Sequence, residues 1–351
     1  MKPLAPPLIR ILAATLACLF LSACGKTMKL SDDDGDVARE NLYYEALELF
    51  QNEEFQKLDA LAASLTNKKR HYLDGGWRVN ALYRAIKAPG GTRSESDWLR
   101  HFERIDRWMT RQPDSRIAPV AKGMAYIRHA WKARGGGYAH TVTEEGWKLF
   151  SERQDKAAEI LMDFKKRHPN EKMCPGWHDS MLELAQGQSW GRARYDALFD
   201  EAVQAWPKFY TLYFSKAFDL LPRWHGDQGD WLRFAEDAGL AQGDEMYARI
   251  CVYMTRWVGW GKLFKEENVS WERMKSGFEE MRAKYPRSAT ILNMYCHAAC
   301  MARDKATAGR LFQEMGDAVC PAIWDPDGNP EQKRYHQSKT WALYKYSAAT
   351  Q

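Results

Sequence analysis

Four segments of the chain end in the same way: WMTRQP (108–113), FKKRHP (164–169), VQAWP (203–207) and MRAKYP (281–286). Proline lacks the N–H that an α-helix needs and its ring collides with the preceding turn, so each amphipathic run must stop at or before its proline. Each proline therefore marks a place where one helical hairpin stops and the next begins. The four lie 56, 38 and 79 residues apart. The last interval is about twice the second, which makes the pattern a degenerate repeat.

The stretches between the prolines agree. Residues 41–65 place Leu42, Ala46, Leu49 and Phe50, then Leu58, Leu61, Ala62 and Leu65, at helical spacing, with Asn52 and Glu53 at the turn between two helices. The next pair, 77–86 and 98–108, is divided by KAPGGT (87–92), and Trp98, Leu99, Phe102, Ile105, Trp108 and Met109 make one wide apolar stripe. In the last unit, 289–302 and 307–315 flank the tight turn ARDKA, and Gly316 stops the second helix. No stretch alternates apolar and polar residues long enough for a strand. The segments WKARGGGYAHTVTEEGWKLF (131–150), FYTLYFSKAFDLLPRWHGDQGDW (209–231) and CMARDKATAGRLFQEMGDAVCPAIW (300–324) resemble a bacterial family of uncharacterised, tetratricopeptide-like helical-repeat proteins. The likeness spans most of 42–324, rests on structural motifs and implies no reaction, so it carries over no catalytic residue. The expected fold is all-α: an α-solenoid of degenerate tetratricopeptide-like hairpins over 41–324, with units longer than the orthodox ~34 residues.

The start of the chain sets the compartment. Lys2 and Arg10 precede an apolar run over 11–23 that is too short to cross a bilayer, which needs about 20 residues. A positive head, a short apolar middle and small residues at the end describe a signal peptide over 1–23. Leu21, Ser22 and Ala23 lead into Cys24 and Gly25, which resembles the bacterial lipobox, in which the cysteine is acylated and becomes the first mature residue. Acyl burial contributes about 0.8 kcal/mol per CH₂, so several chains on Cys24 anchor stably to a lipid bilayer. Gly25 after the cysteine resembles the outer-membrane sorting class, facing the periplasm. Residues 24–40, including KTMKLSDDDGD (26–36), are charged and poor in aromatics, and read as a flexible tether. DDDGD lacks the ligand spacing and closing Glu of a calcium loop.

Removing 1–23 takes away Lys2 and Arg10 and lowers the formal charge from +5 to +3, which offers nothing to a polyanion. No nucleic-acid partner is expected. Cys18 leaves with the signal and Cys24 is used by lipid, so Cys174, Cys251, Cys296, Cys300 and Cys320 remain. They read as structural thiols, or as one bridge to Cys320; their pairing stays open. Zinc would need more converging ligands than Cys296 and Cys300 supply.

Catalytic signatures are missing: there is no HExxH, no GxSxG and no Cys–His pairing. GGGYAHT (135–141) lacks the Lys and the strand of a phosphate loop and reads as the approach to a helix capped by Thr143. LLPRWHGDQGDW (220–231) gathers Arg223, Trp224, His225, Asp227, Asp230 and Trp231 in a loop between helices, and these six are the candidate ligand or partner contacts. The pair His178 and Asp179 after CPGW is similarly suggestive. Fifteen tryptophans either fill gaps between helices or present stacking faces. The reading that follows is a lipid-anchored adaptor, with no cofactor and no metal, whose concave helical-repeat surface binds another envelope protein or peptide. The alternative is a glycan-binding module or enzyme with its site near 224–231. The segment beginning DPDGNPEQ reads as a linker into a C-terminal tail over 325–351, in which KTWALYKYS docks as a short helix.

Overall fold

The computed structural model describes residues 28–68, 70–90, 93–324 and 333–344. The expected signal peptide, Cys24, the DPDGNPEQ segment and the end of KTWALYKYS lie outside the described residues. Within them the chain is helical: α1 (Gly35–Gln51), α2 (Phe55–Asn67), α3 (Val79–Ile86), α4 (Glu95–Arg111), α5 (Ala118–Arg134), α6 (Glu144–Arg167), α7 (Pro175–Gly187), α8 (Arg192–Ala205), α9 (Tyr210–Asp219), α10 (Asp230–Gln242), α11 (Asp244–Val258), α12 (Trp260–Leu263), α13 (Trp271–Lys284), α14 (Ala289–Met301), α15 (Lys305–Met315), α16 (Pro321–Trp324) and α17 (Lys333–Leu343). Among the described residues there is no strand, only an isolated bridge between His71 and Trp77. None of the described helices is long and apolar enough to cross a membrane. The fold is an all-α helical repeat.

The prolines act as the sequence predicts. Gln112, His168, Trp206 and Tyr285, each preceding one of them, close α4, α6, α8 and α13 with φ between −127° and −136° and ψ between 57° and 72°. Clash with the proline ring drives the preceding residue out of the helical region. Three residues later an N–H turns back to each closing residue's carbonyl, as from Ser115 to Gln112 at 3.0 Å and from Ser288 to Tyr285 at 3.1 Å. The 79-residue interval holds an extra hairpin because α10 ends at Gly243, with φ of 99°, instead of at a proline.

Tryptophans stitch successive units. The buried indole of Trp108 on α4 donates to Asp59 on α2 at 3.2 Å, Trp177 on α7 to the Leu161 carbonyl on α6 at 2.9 Å, and Trp231 on α10 to Glu267 at 3.0 Å. Burying such a ring brings a large apolar area out of water while its one donor is satisfied. Thr143 caps α6, its hydroxyl accepting from Gly146 N–H at 3.0 Å, as GGGYAHT predicted.

The first helices of successive hairpins, α1, α3, α5, α7, α9 and α11, pack side by side. They run in the same direction because each is separated from the next by one returning helix. The stack closes on itself at the N-terminal ends of these helices. Asp34 is buried and accepts from Ser288 Oγ at 3.1 Å and from the Thr290 N–H of α14 at 2.9 Å. Loop 70–78 fills the space between: Asp74 pairs with Arg39, its carbonyl accepts from Arg249 at 2.7 Å, and Trp77 Nε1 donates to the Lys208 carbonyl at 2.7 Å. The ring of Tyr285 sits so close over Gly75 that an added Cβ would lie 2.5 Å from it, and φ there is 81°.

One expectation is corrected here. Where the structure describes it, 28–40 is not a tether: Met28 N–H bonds to the Glu314 carbonyl at 3.2 Å, Asp33 pairs with Arg78 at 3.0 Å, and α1 begins at Gly35. Charge alone argued against burial, but a carboxylate at a helix N-terminus is compensated by unsatisfied N–H groups and the helix dipole. The concave side of the stack is bounded at one end by loop 70–78, where Asp74 meets Arg39 and Arg249. At the C-terminus, α17 packs on α15 and begins six residues before KTWALYKYS (339–347), with Lys305 Nζ donating to the Tyr344 carbonyl at 2.9 Å.

Candidate functional site

Closure leaves an inner cavity of about 550 Å³, within the size range of ligand sites. Its floor is Tyr72, Asp74, Trp77 and Arg249; its walls rise along α3, α5, α7, α9 and α11 toward their C-terminal ends. One wall is a ladder. Tyr210, Phe214 and Phe218 recur every four residues on α9, and Arg249, Tyr253 and Trp257 do the same on α11, so one face of each helix meets the other rung by rung. The Arg249 guanidinium lies 4.2 Å from the Tyr210 ring centre; Phe214 and Tyr253 stack at 4.5 Å and 6°; Phe218 and Trp257 meet at 4.5 Å. The ladder continues out of the mouth onto a rim where Trp224 contacts Trp131 and Phe218, both at 5.7 Å, and Arg134 lies over Trp131, Trp147 and Trp224. Trp147 and Trp257 keep 39% and 44% of their surface exposed.

The charges of the cavity divide by depth. At the floor they are contacted: Glu245 accepts from Tyr210 at 2.8 Å, Arg249 at 2.9 Å and Lys284 at 2.6 Å. Burial would raise its pKa, but the Arg249 charge and these hydrogen bonds prevail and hold it below the usual carboxylate range. Nearer the mouth, Arg128 pairs with Glu183 at 2.7 Å, yet Lys87 and Asp179 beside them make no ion pair among the described residues. Among the described residues Asp179 accepts only from Ser215 Oγ, at 3.0 Å. Burial and then the neighbouring Glu183 push its pKa up to about 6, while burial and then Arg128 push that of Lys87 down. Arg256, also on the wall and exposed, lies over Tyr253 and has no acid partner among the described residues.

The six residues singled out at 223–231 do not converge. Arg223, 4.6 Å from the Trp257 ring, and Trp224 join the aromatic rim. His225 Nδ1 is held by the buried Asp219 at 2.7 Å and its carbonyl by Arg192. Asp230 accepts from the Asp227 N–H at 2.8 Å, which holds its pKa low, and pairs with Arg233 at the start of α10. Trp231 is buried. None of the six lines the inner cavity. His178 and Asp179 part company as well: His178 is buried away from the cavity, with its pKa pushed down to about 4 by burial. The five described cysteines are free thiols, and burial raises the pKa of Cys174, Cys251, Cys296 and Cys320, which leaves them poor nucleophiles.

No family model and no curated protein sequence matches the chain. Among solved structures, the crystal structure of yeast Tom70 aligns over 89% of this chain and 85% of that one at 9% identity, with a TM-score of 0.20. An overlap that loose decides nothing about fold or function; the helical-repeat architecture stands on the hairpins themselves.

Proposed function

We propose that the protein is a lipid-anchored binding protein of the bacterial envelope that holds a short peptide, or a short segment of another envelope protein, in its inner cavity without chemistry. The observation that carries this is the aromatic ladder running from the cavity floor to an exposed rim, flanked by Lys87, Asp179 and Arg256, which make no ion pair among the described residues. Such a surface offers stacking and charge complementarity to a ligand. Arg223 and Trp224 belong to the rim and would touch whatever enters. A glycan-binding or enzymatic site around His225 has less support, because His225, Asp227, Asp230 and Trp231 are spent on holding the corner.

The lipidated cysteine fits this geometry. Four residue steps separate Cys24 from Met28, a reach of at most about 14 Å, and Met28 is held at the closed end of the stack. Acylation at Cys24 would therefore keep the floor near the outer membrane and point the mouth into the periplasm. Cys24→Ala should lose radioactive palmitate and leave the membrane fraction; retention of the label on the variant would refute the anchor. For the cavity, a photo-crosslinking residue in place of Arg256 should capture a peptide or protein in the periplasm, and one in place of Lys156 on the outer surface of α6 should not. Capture of glycan fragments alone, or equal capture from both positions, would overturn the reading.

A further inference from the structure

Among the half-buried and exposed charges that line the cavity near its mouth, Arg84 pairs with Glu40 at 2.6 Å, Arg128 pairs with Glu183, and Arg256 lies exposed over the Tyr253 ring. Lys87 and Asp179 stand apart from these. Both are half-buried, both line the cavity, and each feels the other's charge, yet the ammonium of Lys87 touches no acid and the carboxylate of Asp179 touches no cation among the described residues. Attraction across a gap lowers the cost of such an arrangement but does not replace contact. Withdrawing an ionised group from bulk water costs several kcal/mol unless it is paired and hydrogen-bonded, and a direct contact between the two would have met that cost. Their separation leaves one acid and one base facing the same enclosed space, next to the stacked rings of Phe214 and Tyr253.

We propose that the cavity is a receptor site for a small zwitterion of the amino-acid or short-peptide class, with Lys87 meeting its carboxylate, Asp179 meeting its ammonium group, and the Phe214–Tyr253 wall taking an apolar side chain. Asp179 is held in place by Ser215, and Arg256, which also lines the cavity, adds a second cation. The inference rests on the reading that the cavity binds peptides, and it goes beyond that reading by requiring both ends of the ligand to be free.

The test is calorimetric titration of the full-length protein in detergent micelles with phenylalanine, Ala-Phe and Ala-Phe-Ala, each also in N-acetylated and C-amidated form. At least one free-ended probe should bind, and blocking either end should weaken it tenfold or more. The ligand ends and the protein residues should then match pairwise. With Lys87→Met, amidation should no longer matter while acetylation still does; with Asp179→Asn, the reverse should hold. Equal binding of free and blocked probes would overturn the zwitterion site while leaving peptide binding intact. Absence of binding by every probe, with crosslinking from position 256 still capturing a protein, would overturn it also. A loss that ignores which end is blocked would mark Lys87 and Asp179 as merely structural and sink the assignment.

Discussion

The two ends of the inner cavity are built from similar residues and treated in opposite ways. At the floor, Arg39 meets Asp74, Arg249 meets Glu245 and the Asp74 carbonyl, Lys284 meets Glu245, and Asp34 meets Ser288 and Thr290. At the mouth, Lys87, Asp179, Arg256 and Arg223 have no charged partner within contact among the described residues. Paired buried charges hold a structure in one arrangement, whereas solitary ones lower stability and are retained where a ligand completes them. The floor therefore reads as the lock of the closed stack and the mouth as its working end. Substitution should have opposite signs at the two ends.

The largest effect is expected at the floor. Arg249→Met would leave the buried Glu245 with Lys284 and Tyr210 only, remove the bond to the Asp74 carbonyl, and free loop 70–78. Breaking a buried pair from one side costs about 3–5 kcal/mol. Urea denaturation should show a loss of that size, and hydrogen exchange should quicken in 70–78 ahead of the outer helices. A change below about 1 kcal/mol would mean that the floor does not lock the stack.

The next effect has the other sign. A carboxyl whose folded pKa lies above its unfolded value binds a proton more readily when folded, so its contribution is complete below the unfolded pKa near 4 and is lost as pH rises through about 6. The groups facing Asp179 are Glu183, Ser215, Lys87 and Arg128, with Tyr195 and Tyr253 nearby. Asp179→Asn should raise stability at pH 7.5 by roughly 1–3 kcal/mol, allowing for cavity water, and leave it little changed at pH 4. His101 and His178, buried with pKa values pushed down to about 4, act oppositely, favouring the folded state above about pH 6.5 and losing that contribution as pH falls toward 4. The informative quantity is thus the difference between variant and parent across pH, read from thermal unfolding. Destabilisation by Asp179→Asn at pH 7.5 would place Asp179 with the floor charges.

The same contrast explains what could be read from the chain beforehand. The repeat was legible because proline acts locally: whatever surrounds Pro113, Pro169, Pro207 and Pro286, the residue before each leaves the helix in the same conformation. Closure was not legible, because the bonds that make it join residues far apart in sequence, Asp34 to Ser288 and Asp74 to Arg249. Charge density at 32–36 pointed toward solvent, and only the N-terminus of α14 arriving there makes a buried carboxylate tolerable. The cluster at 223–231 drew attention because its chemistry is contiguous in sequence, yet a tight corner needs caps and polar ties, and most of those residues supply them. The ladder left a trace that was missed: aromatic or arginine residues four apart at 210, 214 and 218 and again at 249, 253 and 257. Two such rows become a site only when the hairpins stack.

The smallest effect on stability is expected at the rim, and there the comparison is sharpest. Trp257 keeps 44% of its surface exposed, contacts Phe218 on one side and lies beneath Arg223, whereas Trp108, Trp177 and Trp231 are buried and each donates its indole N–H to a neighbouring element. Trp257→Ala removes one aromatic contact and a ring that keeps nearly half of its surface in water, so unfolding should shift by roughly 1–2 kcal/mol, well short of the about 3–5 kcal/mol of a core tryptophan. The same substitution takes away the last rung of the ladder, where a ligand would first stack, and should reduce crosslinking from position 256 severalfold. A residue that matters more to capture than to folding is what a working end requires. If Trp257→Ala instead unfolded the protein as a core tryptophan would, the rim would belong to the lock, and the division of the molecule into a floor that holds and a mouth that binds would fail.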